Sequence, residues 1–250
     1  MKLEGNTIFI TGGGSGIGRA LAEALHQRGN KVIISGRRKT HLAKTVEANP
    51  GMESIELDIA DPTSVHRVAN ELIMKYPTLN VLINNAGIMQ IDNASAEIDD
   101  ELITSTITTN LIGPVRLTGA LIEHLKRQES GTVLFVSSVP GFTPMAMTAV
   151  YSSTKAAIHS YAQSLRFKLR HSSVSVLEII PPWVRTELLS SSEEPRAMPL
   201  DEFLQGTMDA LATDAHEIMV PRAKFLREQA DPNEAAFVTS FNEQLEAPQA

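Results

Sequence analysis

Two side chains four residues apart carry the first chemical signal, in Tyr151-Ser152-Ser153-Thr154-Lys155. On a helix, positions i and i+4 share a face, so this phenol and ammonium can line one pocket together. Reducing a carbonyl requires a proton for the oxygen as hydride reaches the carbon. A free phenol, with a pKa of about 10, is a sluggish acid–base group at neutral pH. A nearby cation stabilises phenolate and lowers that pKa toward the working range. The spacing alone is weak, because many surface helices carry such a pair. Position strengthens it. Upstream, Val136-Ser137-Ser138 closes an apolar run, where an α/β sheet presents residues to its ligand crevice. A serine hydroxyl there can hold the substrate oxygen beside Tyr151, with Ser138 and Ser137 as adjacent candidates.

A second signal lies near the N-terminus, in Thr11-Gly12-Gly13-Gly14-Ser15-Gly16-Ile17-Gly18. Glycines permit positive φ and close approach of the backbone to a bulky anion. A helix beginning at Gly16 aims free N–H groups and its positive dipole end at a pyrophosphate. Ordinary turns also use glycine, but strand, glycine turn and amphipathic helix together are what a dinucleotide site demands. Gly12, Gly14, Ser15, Gly16, Ile17 and Gly18 are therefore candidate cofactor residues. The second apolar run ends Ser35-Gly36-Arg37-Arg38. An acid there would take the ribose 2′-hydroxyl, whereas arginine suits a 2′-phosphate. Arg37 can stack on adenine or fork onto the phosphate, with Arg38 and Ser35 assisting. Two basic residues on a solvated helix start are the plainer alternative. NADP(H) is the favoured cofactor, with NAD(H) the other choice.

Both signals need a scaffold. Short apolar runs (7–10, 31–34, 54–57, 81–84, 132–136, 174–180 and a weaker 217–220) alternate with longer helical patterns. That alternation predicts a doubly wound α/β Rossmann fold of about seven parallel strands with helices on both faces. Ile17, Ala20, Leu21, Ala24 and Leu25 form one helical stripe. Asp61-Pro62 reads as an N-cap followed by proline at the first helical position. The longest helical candidates are Asp100–Gln128, which Pro114 should bend or break, and Ala149–Arg170. Residues 190–196 look like a mobile loop within a substrate lid at 187–207, and Asp231-Pro232 opens a C-terminal helix at 231–246. The whole chain, 1–250, reads as one domain.

The ordered motifs resemble the short-chain dehydrogenase/reductase family, whose glycine turn is Thr-Gly-x-x-x-Gly-Ile-Gly. One departure is Ser15, where NADP-preferring relatives often carry a basic residue. The resemblance implies further roles. Ser138, thirteen residues before Tyr151, takes the substrate-holding place. Asn85, Ala86 and Gly87, within Asn84-Asn85-Ala86-Gly87, border the cofactor. Asn110 completes a catalytic set of Asn110, Ser138, Tyr151 and Lys155; its backbone and side chain would hold a water linking Lys155 to solvent. Tyr151 and Lys155 would also bind the cofactor, Lys155 at the nicotinamide ribose. Asp58, followed by Ile59, resembles the adenine-binding acid, although it can equally form a turn. Pro181, Val184 and Thr186 match the family's Pro-Gly-x-Val-x-Thr nicotinamide turn, with Pro182 replacing its glycine. That double proline, Gly36-Arg37 and the C-terminal helix resemble the DltE-like bacterial reductases. The function so implied is hydride transfer between nicotinamide C4 and a small, apolar ketone or secondary alcohol. Met89, Gln90, Pro140, Phe142, Met145, Met147 and Trp183 are candidates for the pocket wall.

Composition narrows the alternatives. There is no cysteine, which removes disulfides, zinc–thiolate sites and thiol nucleophiles. The net charge of −7 argues against nucleic acid as a partner. No metal is expected, since the seven histidines are scattered and read mostly as exposed helix residues. No apolar stretch predicts a membrane span, so the cytoplasm is the expected location. The family resemblance implies a homodimer or homotetramer paired through the two long helices. A hydrolase elbow is absent, because Val136 and Pro140 stand where its glycines belong. The remaining rival is a catalytically silent NADP(H)-binding sensor of the same fold; such proteins typically lose the tyrosine or lysine.

Overall fold

The computed structural model describes residues 1–230 and 233–246. Seven parallel strands form one sheet: β1 (Thr7–Thr11), β2 (Lys31–Gly36), β3 (Glu53–Glu56), β4 (Leu79–Asn84), β5 (Gly131–Val136), β6 (Val174–Ile179) and β7 (Glu217–Ile218). Their order is β3-β2-β1-β4-β5-β6-β7, so the fold is the doubly wound Rossmann arrangement. β1 and β5 are buried along their whole lengths, as strands covered on both faces must be. Edge strand β3 buries Ile55 and leaves its neighbours wetter.

The helices divide between the faces. α1 (Gly16–His26) and α7 (Leu200–Leu211) pack Leu21, Leu25, Phe203 and Leu211 against Ile8, Ile34, Ile83 and Leu134. α3 (Pro62–Lys75), α5 (Gly113–Lys126) and α6 (Ala149–Leu169) cover the other face through Val68, Leu72, Leu121, Leu125 and Ile158. α2 (Lys39–Ala48) lies between β2 and β3 in the chain, burying Leu42 and Thr45. Asp61 caps α3, its carboxylate accepting from the N–H groups of Thr63 and Ser64, with Pro62 in the first turn.

The helix around Pro114 departs from expectation. α4 (Asp100–Ile107) runs through a π-helical turn, Thr108–Ile112, into α5 without a break. Pro114 falls in the first turn of α5, where the ladder has just changed register and its missing N–H is tolerated. Gly113 lets this wide turn lie against the loop after β3: a Cβ there would stand 2.4 Å from the Ile59 carbonyl oxygen.

Two further differences concern the C-terminal third. Residues expected in a lid through 207 are already helical from Leu200. The tail carries two helices rather than one, α8 (Pro221–Ala230) and α9 (Glu234–Glu246). The helix-opening signal Asp231-Pro232 lies outside the described residues.

Candidate active site

β1 pairs with β2 on one side and β4 on the other, so successive crossovers leave in opposite directions. A crevice must open there, at the carboxyl ends of the strands. It holds a cleft of about 700 Å³, to which the segments following β1 to β6 all contribute lining residues. Thr11 closes its floor. The Thr11 hydroxyl oxygen accepts from the N–H groups of Asn85 and Ala86, both at 3.0 Å. Asn85 returns its amide to the Thr11 carbonyl at 2.9 Å.

Gly12, Gly14, Ser15, Gly16, Ile17 and Gly18 all line this cleft. Gly12 has φ of 70° and Gly16 of 53°, conformations that L side chains rarely adopt. At Gly18 a Cβ would lie 2.3 Å from both the Asn85 amide nitrogen and the Gly12 carbonyl oxygen. The bare backbone turn ahead of α1 fits a pyrophosphate on both counts.

Arg37 and Arg38 line the same end. Arg38 donates to the Ser15 hydroxyl at 2.7 Å and pairs with Glu187 at 3.2 Å. A basic side chain from beyond the end of β2 is thus anchored on Ser15 of the glycine turn. Arg37 makes no ion pair with a described carboxylate, leaving its guanidinium available. Ile59 lines the cleft, as does Leu57, which the sequence reading passed over. Asp58 between them does not. Its carboxylate accepts from the Ala60 N–H at 3.0 Å, the turn-forming alternative.

Further along the cleft stand Ser138, Tyr151 and Lys155. α6 carries the phenol and ammonium one turn apart, and both side chains are buried. Ser138 follows β5, its hydroxyl beside the phenol and donating to the Pro181 carbonyl at 3.4 Å. Ser137, also buried, instead donates to Ile179. The expected lowering of the Tyr151 pKa is not what the site exhibits. Burial pushes the phenol up to about 12, and the contact with Ser138 pulls weakly the other way. Lys155 turns its Nζ to the Val136 carbonyl at 2.8 Å, 5.4 Å from the centre of the phenol ring. Burial pushes its pKa down to about 8, opposed by the charge of Glu178.

Asn110 sits in the π-turn, buried, with both ends of its side chain bonded to protein groups. Its Oδ1 accepts from the Ile88 N–H, and its Nδ2 donates to the Ile88 carbonyl and the Thr154 hydroxyl. It clamps the loop after β4, where Ala86 and Gly87 border the cleft.

The remaining wall follows β6. Pro181, Pro182, Val184 and Thr186 all line the cleft, and the Pro181 carbonyl accepts from the Val139 N–H at 2.9 Å. Pro182 therefore leaves the turn in place. Met89, Pro140, Met145 and Trp183 join the wall, whereas Gln90, Phe142 and Met147 do not. Phe142 instead packs edge-on against His159, with ring centres 4.4 Å apart. The polar stretch after Glu187 is tied down: Trp183 donates to Ser191, and Arg185 to the Glu194 carbonyl. Arg222, Leu226, Phe241 and Leu245 also line the cleft. Their signal was present as the i, i+4 pairs Arg222/Leu226 and Phe241/Leu245, on helices whose docking the sequence does not reveal.

The histidines are also more varied than expected. His124 is buried against the Leu79 carbonyl. His159 joins Glu178 and Glu217 in a close cluster, where the Arg227 guanidinium stands 3.4 Å from Glu217. Among the described residues no helix is long and apolar enough to cross a membrane.

A family model for short chain dehydrogenases matches residues 6–197. The chain belongs to the short-chain dehydrogenase family. This member is 36% identical over 234 residues to the uncharacterized oxidoreductase DltE of Bacillus subtilis, covering 91% of this chain and 93% of that one. It is 32% identical to an NADPH-dependent 1-acyldihydroxyacetone phosphate reductase of Schizosaccharomyces pombe, covering 93% of this chain and 73% of that one. A short chain dehydrogenase from Burkholderia cenocepacia, solved in complex with NADP, superposes with a TM-score of 0.84 at 26% identity over 99% of this chain and 100% of that one. The short-chain dehydrogenase reading of the sequence and its relation to DltE thus stand.

Proposed function

We propose that this short-chain dehydrogenase is an NADP(H)-dependent carbonyl reductase, with Tyr151 as general acid and base. The observation that carries the reading is a buried phenol and ammonium, one helical turn apart, facing a cleft floored by a glycine turn. NADPH, when bound, supplies hydride from nicotinamide C4. Gly12 to Gly18 take the pyrophosphate, and Arg37 with Arg38 take the 2′-phosphate. Pro181, Val184 and Thr186 hold the nicotinamide end. Ser138 holds the carbonyl oxygen beside Tyr151, which donates its proton as the alkoxide forms. A phenol pushed up to about 12 keeps its proton at neutral pH, which suits the donor role. Lys155 then faces a new phenolate that its charge stabilises.

Ligands named for the relatives support the cofactor choice: NADP for the Burkholderia protein and NADPH for the Schizosaccharomyces one. Met89, Met145, Trp183, Leu226 and Phe241 favour an apolar ketone, with the stretch from Glu187 to Pro199 covering it. The test is a panel of apolar ketones with NADPH and NADH, followed by loss of nicotinamide absorbance. Oxidation of NADPH by some of them, faster than of NADH, is expected. Cofactor binding with no oxidation across the panel would instead favour a silent sensor.

A further inference from the structure

Glu178 is out of place as a core residue. It pairs in register with Phe135 of β5, in a layer otherwise filled by Phe135, Val176, Ile158 and Ala162. Its side chain is wholly inaccessible to solvent. A carboxylate in such a layer is costly unless charge and hydrogen bonds balance it. Oε2 is met by Nδ1 of His159 at 2.9 Å, while Oε1 has no hydrogen-bond partner among the described residues. A hydrophobic residue would fill this position more cheaply, so the charge itself needs a purpose.

The neighbouring helix supplies one. Tyr151, Lys155 and His159 follow one another at i, i+4 and i+8 on α6, so a single face presents phenol, ammonium and imidazole in sequence. The Lys155 ammonium bonds to the Val136 carbonyl, one residue beyond the Phe135–Glu178 pair. The charged groups gathered here come from every packed element: Lys155, His159 and Arg166 from α6, Glu178 from β6, Glu217 from β7 and Arg227 from α8. Arg227 lies 3.4 Å from Glu217 and offsets it. Among the described residues two permanent cations then remain near Glu178, Arg166, held on the Val176 carbonyl at 3.0 Å, and Lys155, of which only Lys155 lines the cleft.

We infer that Glu178, oriented by His159, is the counter-charge that keeps Lys155 protonated in the working enzyme. The inference rests on the reductase reading above. Neither Glu178 nor His159 lines the cleft, so both are positioning residues that act through Lys155. The direction of the effect follows from the site. Burial draws the Lys155 pKa down, and the charge of Glu178 opposes that. With an uncharged residue at 178, the ammonium would give up its proton within the neutral range and could no longer stabilise a phenolate.

Glu178→Gln keeps the shape of the side chain and removes the charge. The titration of Lys155 is read by trace labelling with fluorodinitrobenzene across a pH series, with the peptide carrying Lys155 quantified by mass spectrometry. This readout needs no turnover. Labelling of Lys155 in E178Q is expected to be ~5-fold faster at neutral pH, the gain in free amine when a pKa of about 8 falls to about 7. Glu178→Asp should restore most of the original profile. At the rim, Arg227→Gln leaves Glu217 unpaired and should move the titration the opposite way, a sign that mere loosening of the core would not produce. Titration curves for E178Q and R227Q that superimpose on the unmodified protein's would overturn the inference. A shift in labelling with no ketone reduced by any form would leave this charge assignment standing and remove the reductase reading instead.

Discussion

The two ends of the cleft are built on different principles. At the glycine-turn end the surface is main chain: glycines clear the way, and Thr11 and Asn85 lock the loops after β1 and β4 together. At the far end the wall is side chain, drawn from Met145, Trp183, Leu226 and Phe241 on separate elements. The stretch between holds Leu189 and Ser190 at φ of 54° and 53°, a conformation costing such residues about 1–3 kcal/mol each. The difference teaches where specificity can change. A backbone cradle tolerates almost no substitution, whereas a side-chain wall can be rebuilt for another substrate without disturbing the fold.

Breaking the cradle should give the largest effect. Gly18→Val places carbon where the Asn85 amide and the Gly12 carbonyl already stand. A loss of NADPH affinity of ~100-fold, about 3 kcal/mol, is expected by fluorescence titration. Unchanged affinity would mean the turn is not the pyrophosphate site. Next is Arg37→Ala, which should raise the Michaelis constant for NADPH by ~10–100-fold, as loss of a charge-assisted contact does, and leave that for NADH nearly constant. Equal changes for both would defeat the 2′-phosphate assignment.

The pH profile sharpens the same contrast. As pH rises through about 8, Lys155 loses its proton, while Tyr151 holds its own up to about 12. Reduction should therefore decline above about pH 8, approaching tenfold per pH unit, through the lysine and not the phenol. A flat rate from pH 7 to about 10, at saturating NADPH, would contradict this. The smallest effects belong to the wall. Trp183→Ala or Phe241→Ala should raise the Michaelis constant for apolar ketones by ~3–30-fold, within the reach of a single apolar contact. Cofactor affinity should stay level, and a matching loss there would erase the distinction between the two ends.

The same contrast governs what could be read from the chain. Strand runs, the glycine turn and the Tyr151–Lys155 spacing are local patterns, and a parallel sheet brings them to one edge whatever the detail of packing. The π-turn escaped because Pro114 announces only that an N–H is missing, not which ladder forms around the gap. Arg38 reaching Ser15, and Asn110 clamping Ile88, are contacts between segments remote in sequence. So is the docking of α8 and α9 over the cleft. The raised pKa of Tyr151 also depended on burial, which the i, i+4 spacing does not disclose.

The most direct test sets Tyr151→Phe beside the unmodified protein, with NADPH binding and ketone-dependent NADPH oxidation measured on the same preparations. The account predicts turnover lowered by at least ~100-fold with NADPH affinity within about twofold of the original, because the phenol's proton serves chemistry and not cofactor binding. Near-normal turnover in the phenylalanine variant would contradict it.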